Sequence, residues 1–234
     1  MYNVLLVGLK GSGKTWILEK VRPSPRLTPA PRALPRRIGA LGPHRTDRRA
    51  ERCVAEADAV LDVTYKRSIL RLWDLGGAKS MRSLWDQYLP DAHVLVWVLD
   101  APRWVHDSLD DEGPYRSAMC TALFRLVQEA AARNQPIVLV ISQLDRLAPD
   151  ASGPGLVHAS SASLQEHVHT TILKQWALFV DEAPAAATLN PNWNVAAVSA
   201  ATGYVQDLRS DGMRATFETI HTHAVRFGES TPAP

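Results

Sequence analysis

The chain has 234 residues, 46% of them apolar and 21% charged, with a formal net charge of +2. That length suits one domain, alone or with an insertion, and the apolar share supports a sizeable core. No apolar run reaches the roughly 18 residues of a membrane span, Val4 to Val7 is too short for a secretory signal, and Cys53 and Cys120 cannot build a disulfide framework.

Asn3 to Val7 is a short β-rich run that feeds directly into Gly8-Leu-Lys-Gly-Ser-Gly-Lys-Thr15. That stretch fits G-x-x-x-x-G-K-[ST] without a mismatch. Gly8, Gly11 and Gly13 let the backbone curl, so that N–H groups across Gly11, Ser12 and Gly13 surround phosphates. Lys14 reaches the β/γ oxygens, and the Thr15 hydroxyl ligates Mg²⁺. Trp16 to Val21 reads as a helix whose positive end faces the same anion, stopped by Pro23 and Pro25. A tryptophan directly after Thr15 is unusual. The Trp16 backbone N–H can still serve the α-phosphate, and its ring is expected beside the nucleotide or in the core.

Residues 23–52 carry six prolines and little periodicity, the pattern of a long, poorly ordered loop. Between Arg22 and Arg52 nine arginines face only Asp47 and Glu51, so this segment is strongly basic and the rest of the chain net acidic. Such a loop can be a solvated surface, or a contact for acidic headgroups or an acidic partner. It holds no aromatic residue on which a base could stack, and nucleic acid is not expected.

Val60 to Tyr65, a Lys66-Arg-Ser68 turn and Ile69 to Trp73 predict a β-hairpin. Val94 to Leu99 and Ile137 to Ile141 are unbroken apolar runs, as in strands buried on both faces of a parallel sheet. Helices are predicted over Pro114 to Ala132 and Ser163 to Val180. A last strand is expected over Trp193 to Val198 and a last helix over about Tyr204 to Val225. This alternation predicts an α/β fold, a mostly parallel doubly wound sheet with helices on both faces and ligand at the carboxyl ends of its strands.

A second signature, Trp73-Asp-Leu-Gly-Gly77 with Arg82, Trp85 and Tyr88, resembles the W-D-x-G-G-Q-x-x-x-R-x-x-W-x-x-Y stretch of the ADP-ribosylation-factor-like GTPases. Leu75 to Tyr88 looks most like the Arf-related protein branch. The resemblance covers about residues 3–21, 60–147 and 193–225 and implies a P-loop NTPase small G domain over residues 1–228, with 23–52 as a first-switch insertion and 229–234 as a disordered tail. It also implies GTP/GDP and Mg²⁺ as cofactors. Asp74 would hold the metal through a water, and the Gly77 N–H would read the γ-phosphate. Trp73 and Trp85 are read as core or as partner-facing aromatics.

The N-K-x-D base motif of that family is matched here by Ser142-Gln-Leu-Asp145. Asp145 would accept the guanine N1–H and N2–H, which adenine lacks. Ser142, shorter than asparagine, is expected to lose a brace to the phosphate loop, and Gln143 to cover the base less fully than lysine. Guanine preference is expected to remain, with reduced affinity. Ser199-Ala200 resembles the last guanine loop.

Three departures bear on turnover. The water-positioning glutamine is replaced by Ala78, whose methyl cannot orient a water, so hydrolysis is expected to be slow. The neighbouring Lys79 has no acceptor to hold a water proton. The first-switch threonine has no clean counterpart; Arg37-Ile-Gly39 aligns best, with Thr28 or Thr46 as substitutes. His167/His169 and His221/His223 are spaced to diverge on helices and suggest no metal site, while Cys120 lies on an apolar helix face, packed and inert.

The leading reading is an Arf-like GTP/GDP switch in vesicle or Golgi traffic: cytoplasmic, monomeric, served by an exchange factor, a GTPase-activating protein and an effector. Membrane contact would need a partner or the arginine-rich loop, since neither a lipidation code nor the family's amphipathic helix precedes Asn3. A second reading is a pseudo-GTPase scaffold that binds nucleotide without turnover. A third, an ATP-using enzyme, would make Asp145 incidental.

Overall fold

The structure is a computed structural model and describes residues 1–21, 59–110, 113–147, 161–182, 191–197 and 211–230. Three strands open the order: β1 (Tyr2–Val7), β2 (Ala59–Tyr65) and β3 (Ser68–Asp74), with helix α1 (Lys14–Val21) between the first two. A short 3₁₀ turn over Lys79–Leu84 leads into α2 (Trp85–Tyr88), followed by β4 (Val94–Asp100) and α3 (Ala101–His106). Two-residue strands β5 (Leu109–Asp110) and β6 (Gly113–Pro114) pair with each other before α4 (Tyr115–Ala132). The chain closes with β7 (Pro136–Ser142), α5 (Ser161–Glu182), β8 (Asn192–Ala197) and α6 (Asp211–Ser230).

Six strands form one sheet in the order β2-β3-β1-β4-β7-β8. Every neighbouring pair is parallel except β2 with β3, the hairpin at one edge. The apolar runs explain this placement. Strand β4 is buried at all seven of its residues: Leu95, Trp97 and Leu99 join the core under α2 to α5, whereas Val94, Val96 and Val98 join the core under α1 and α6. Strand β7 divides in the same way, with Ile137, Leu139 and Ile141 on one side and Val138 and Val140 on the other. A strand covered by helices on both faces has no solvent side to mark with polar residues, which is why alternation is missing from its sequence.

The hairpin is fixed by Arg71, whose Nε donates to Asp62 Oδ1 across the strands at 2.8 Å. Its tip is tied to α6. Tyr65 Oη donates to Glu218 Oε2 at 2.8 Å, Lys66 Nζ donates to Oε1 of the same carboxylate at 2.5 Å, and His221 Nε2 lies 3.2 Å from Ser68 Oγ. Both hydrogen bonds and the Lys66 charge hold Glu218 below the ordinary carboxylate range.

Several expectations need correction. Helix α6 runs through Ser230, so residues 229 and 230 are helix rather than tail. Helix α5 begins at Ser161 and ends at Glu182, beyond the predicted limits at each end. The short helices α2 and α3 are missing from the sequence reading because four- and six-residue elements show too little periodicity. The 23–52 loop, Val198, the start predicted at Tyr204 and residues 231–234 lie outside the described residues.

Candidate functional site

The phosphate-binding segment emerges from the carboxyl end of β1, at the point where the strand order turns: the chain continues to β3 on one side of β1 and to β4 on the other. Its glycines are there for space. Gly8 has φ +152°, and a Cβ on it would lie 2.3 Å from Val98 O and 2.8 Å from Ser12 Oγ. Gly13 has φ +91° and would bring a Cβ to 3.3 Å from Ser142 Oγ. A side chain at Gly8 would push the loop off the strand end, and one at Gly13 would be strained by the positive φ and crowd Ser142.

Inside this loop Lys14 is buried, its Nζ donating to Gly8 O at 2.8 Å and Leu9 O at 3.2 Å, with Ser12 Oγ at 3.5 Å. The ammonium is thus held at the centre of the turn, where a phosphate wrapped by loop amides would meet it. Thr15, at the start of α1, donates its hydroxyl to Asp74 Oδ2 at 2.9 Å. Asp74 ends β3 and is 3% exposed. One hydroxyl and one carboxylate, both hard oxygen donors, are what a small divalent cation such as Mg²⁺ takes from protein.

Gly77 lies against the same loop. A Cβ there would sit 2.4 Å from Gly8 O and 2.6 Å from Lys10 N, so only glycine permits this approach. The turn is pinned from outside: Trp85 Nε1 donates to Gly76 O at 3.1 Å and Arg82 Nη2 to Gly77 O at 3.4 Å. Arg125 of α4 in turn donates to Arg82 O at 3.0 Å and pairs with Asp86 at 3.1 Å. Trp73 and Trp85 are both core residues, 4% and 0% exposed, which resolves the choice left open for them. Ala78 follows Gly77 in extended backbone, and its side chain carries no hydrogen-bonding atom.

Ser142, Gln143 and Asp145 stand at the end of β7, beside the loop. Ser142 does not lose the brace: its Oγ is 2.5 Å from Ser12 O and 2.9 Å from Leu99 O, fully buried. The hydroxyl is short, but the loop comes to it, since Gly13 leaves room there. Gln143, in the left-handed region at φ 60°, bonds its side-chain amide to protein. Its Nε2 donates to Gly11 O at 2.9 Å and Asp100 Oδ2 at 2.8 Å, and its Oε1 accepts from Arg146. Asp145 is exposed in the 3₁₀ turn Leu144–Arg146. Trp16 is half-buried against the core under α1 and α6, with Lys20 Nζ 5.4 Å from its ring centre. Ser199, Ala200, Arg37, Thr28 and Thr46 lie outside the described residues.

Sequence reasoning missed a second bracket on the loop. Asp100 caps α3 by accepting from Arg103 N at 2.9 Å, and its own N–H donates to Tyr115 Oη at 2.9 Å. Arg103 lies with its guanidinium 4.4 Å from the Tyr115 ring centre and donates from Nη1 to Lys10 O at 2.9 Å. An aspartate ending an apolar run, with Pro102 two residues on, is a helix-start signal that could have located α3. Cys120 is buried, and burial pushes its thiol up to about 12. Among the described residues no three His, Cys, Asp or Glu side chains converge as a metal-ligand set.

Residues 54–152 match the model of the ADP-ribosylation factor family. Over this part of its length the chain is similar to the Arf-like small GTPases. It is 27% identical over 145 residues to ADP-ribosylation factor-like protein 3 of Saccharomyces cerevisiae, covering 62% of this chain and 61% of that protein. It is 26% identical over 144 residues to ADP-ribosylation factor-related protein 1 of Bos taurus, covering 62% and 60%. The matched region therefore spans about three fifths of the length of these curated relatives. The nucleotide-bound Arl6 small GTPase of Trypanosoma brucei shares the fold, with a TM-score of 0.50 and 18% identity over 96% of this chain and 98% of that one. The P-loop small G domain expected from the sequence is the fold observed.

Removing the Ser142 hydroxyl takes away the one O–H donor that Ser12 O and Leu99 O share at the base of the loop. Losing the donor to a buried acceptor costs about 1–3 kcal/mol and loosens the loop that holds the phosphates, so Ser142→Ala is expected to weaken nucleotide binding by up to about tenfold. Fluorescent-nucleotide titration measures it, and unchanged affinity would show that the brace is not needed.

Proposed function

We propose that this chain binds GTP and GDP with Mg²⁺ at Gly8–Thr15 and acts as an Arf-like switch with slow or partner-dependent hydrolysis. The observation that carries the reading is the meeting of two distant motifs at one point. Thr15 and Asp74 share a hydrogen bond of 2.9 Å, and Gly77 packs on the backbone of Gly8 to Lys10. A turn that touches the phosphate loop through a glycine is placed to respond to the presence of a terminal phosphate. Bound at Thr15 and Asp74, Mg²⁺ would neutralise phosphate charge. Lys14 would hold the β/γ oxygens, and Asp145 would select guanine by accepting two base N–H groups.

The family resemblance extends the proposal to intracellular vesicle or Golgi traffic, with an exchange factor, a GTPase-activating protein and an effector as partners. On this reading the protein acts in the cytoplasm or at endomembranes, reached through a partner or the arginine-rich loop. The effector surface would include the β2–β3 hairpin, whose outer strand β2 is a sheet edge. Ala78 favours a second reading, a pseudo-GTPase scaffold, because no side chain at that position can hold an attacking water.

Asp145→Asn is expected to move preference from guanine towards xanthine nucleotides in competition against a fluorescent analogue; unchanged selectivity would remove Asp145 from the base site. The two readings divide on Ala78→Gln. A switch with an otherwise competent site gains single-turnover GTP hydrolysis from this change, whereas a scaffold whose first switch is also incompetent shows no rise.

A further inference from the structure

The end of the sheet opposite the phosphate loop holds a cavity of about 520 Å³. Arg133 and Asn134, from the turn after α4, and Pro136 at the start of β7 line one side, and His223, Arg226, Phe227 and Ser230 of α6 line the other. Pro136 opens β7 and Ser142 closes it, so at about 3.3 Å per residue the cavity lies on the order of 20 Å from the nucleotide site. Its volume falls in the range of small-molecule pockets.

The charge pattern gives the site its chemistry. Arg133, Arg226 and His223 all line it, and no aspartate or glutamate does. Among the described residues neither guanidinium has a carboxylate partner. Burial first, and then the Arg226 charge, hold the His223 imidazole below its usual value, the response of a histidine that meets positive charge. Asn134 stands at φ 57°, in the left-handed region, between Arg133 and the strand. Two helices end near the cavity, and their carbonyl ends contribute about half a negative charge each. Among the lining residues two guanidinium charges exceed that sum.

We propose that this cavity is a second ligand site, taking a phosphomonoester group between Arg133 and Arg226 with the Asn134 amide as a neutral donor. Planar guanidinium groups suit a tetrahedral dianion, which accepts several charge-assisted hydrogen bonds at once.

Histidine-ring NMR of the full chain, with excess GDP and Mg²⁺ present to occupy the phosphate loop, reads His223 directly. Glycerol 3-phosphate is expected to shift that ring saturably and to move its titration midpoint up by about one pH unit, as an anion offsets Arg226. The double variant Arg133→Ala/Arg226→Ala is expected to weaken the probe at least about tenfold, with no change in thermal midpoint, since both side chains are exposed. No saturable shift, a shift matched by sodium chloride at equal ionic strength, or one unchanged in the double variant would overturn the proposal. Vesicles of phosphatidylcholine, with and without a phosphatidylinositol monophosphate, identify the source of the group. Arginine-dependent pelleting alongside the ring shift assigns a lipid headgroup, and a ring shift without pelleting assigns a soluble phosphoester. Pelleting that persists in the double variant without a ring shift is surface charge alone and also overturns it.

Discussion

A buried ammonium organises this molecule. Lys14 is 7% exposed, and a charge taken that far from water costs several kcal/mol unless oxygen atoms surround it. The loop that precedes Lys14 provides those oxygens from its own backbone, at Gly8 and Leu9. Carbonyls can turn inward to a lysine only if the chain bends as Gly8 and Gly13 allow, and the bend can hold only if something outside keeps the loop against the sheet.

That outer support comes from three places. Ser142 braces the base of the loop from the end of β7, and Gln143 reaches Gly11 from the same strand end. Arg103, laid against Tyr115 and anchored through the Asp100 cap, holds Lys10 from the end of β4. Gly77 closes the third side by backbone contact. Strands β4 and β7 are themselves fixed by apolar packing on both faces, so the loop is positioned by the core rather than by the surface. This is the physical link between a double-sided hydrophobic sheet and a precise anion site.

The long apolar runs and the glycine-lysine-threonine spacing were legible in the chain because each imposes a local rule: burial on two faces in one case, backbone curvature in the other. Asp74 and Gly77 were legible only through family resemblance, since nothing local says that residue 74 meets residue 15. Ser142 was misread. Residue length alone suggested a lost brace, but the distance to Ser12 depends on how closely the loop approaches, which Gly13 decides. Arg103 and Tyr115 were invisible for a similar reason: a cation stacked on a ring and bonded to a carbonyl in another segment leaves no periodic trace. The basic cavity joins a turn after α4 to the last turns of α6, about ninety residues apart, and no motif spans that separation.

The most direct test of the central claim is calorimetric titration of the purified chain with GTP and GDP in the presence of Mg²⁺, against the same titration of Lys14→Ala. Saturable binding that falls by about a hundredfold or more when the ammonium is removed is the expected result. No heat with any purine triphosphate, together with a Lys14→Ala variant indistinguishable from the parent, would contradict it.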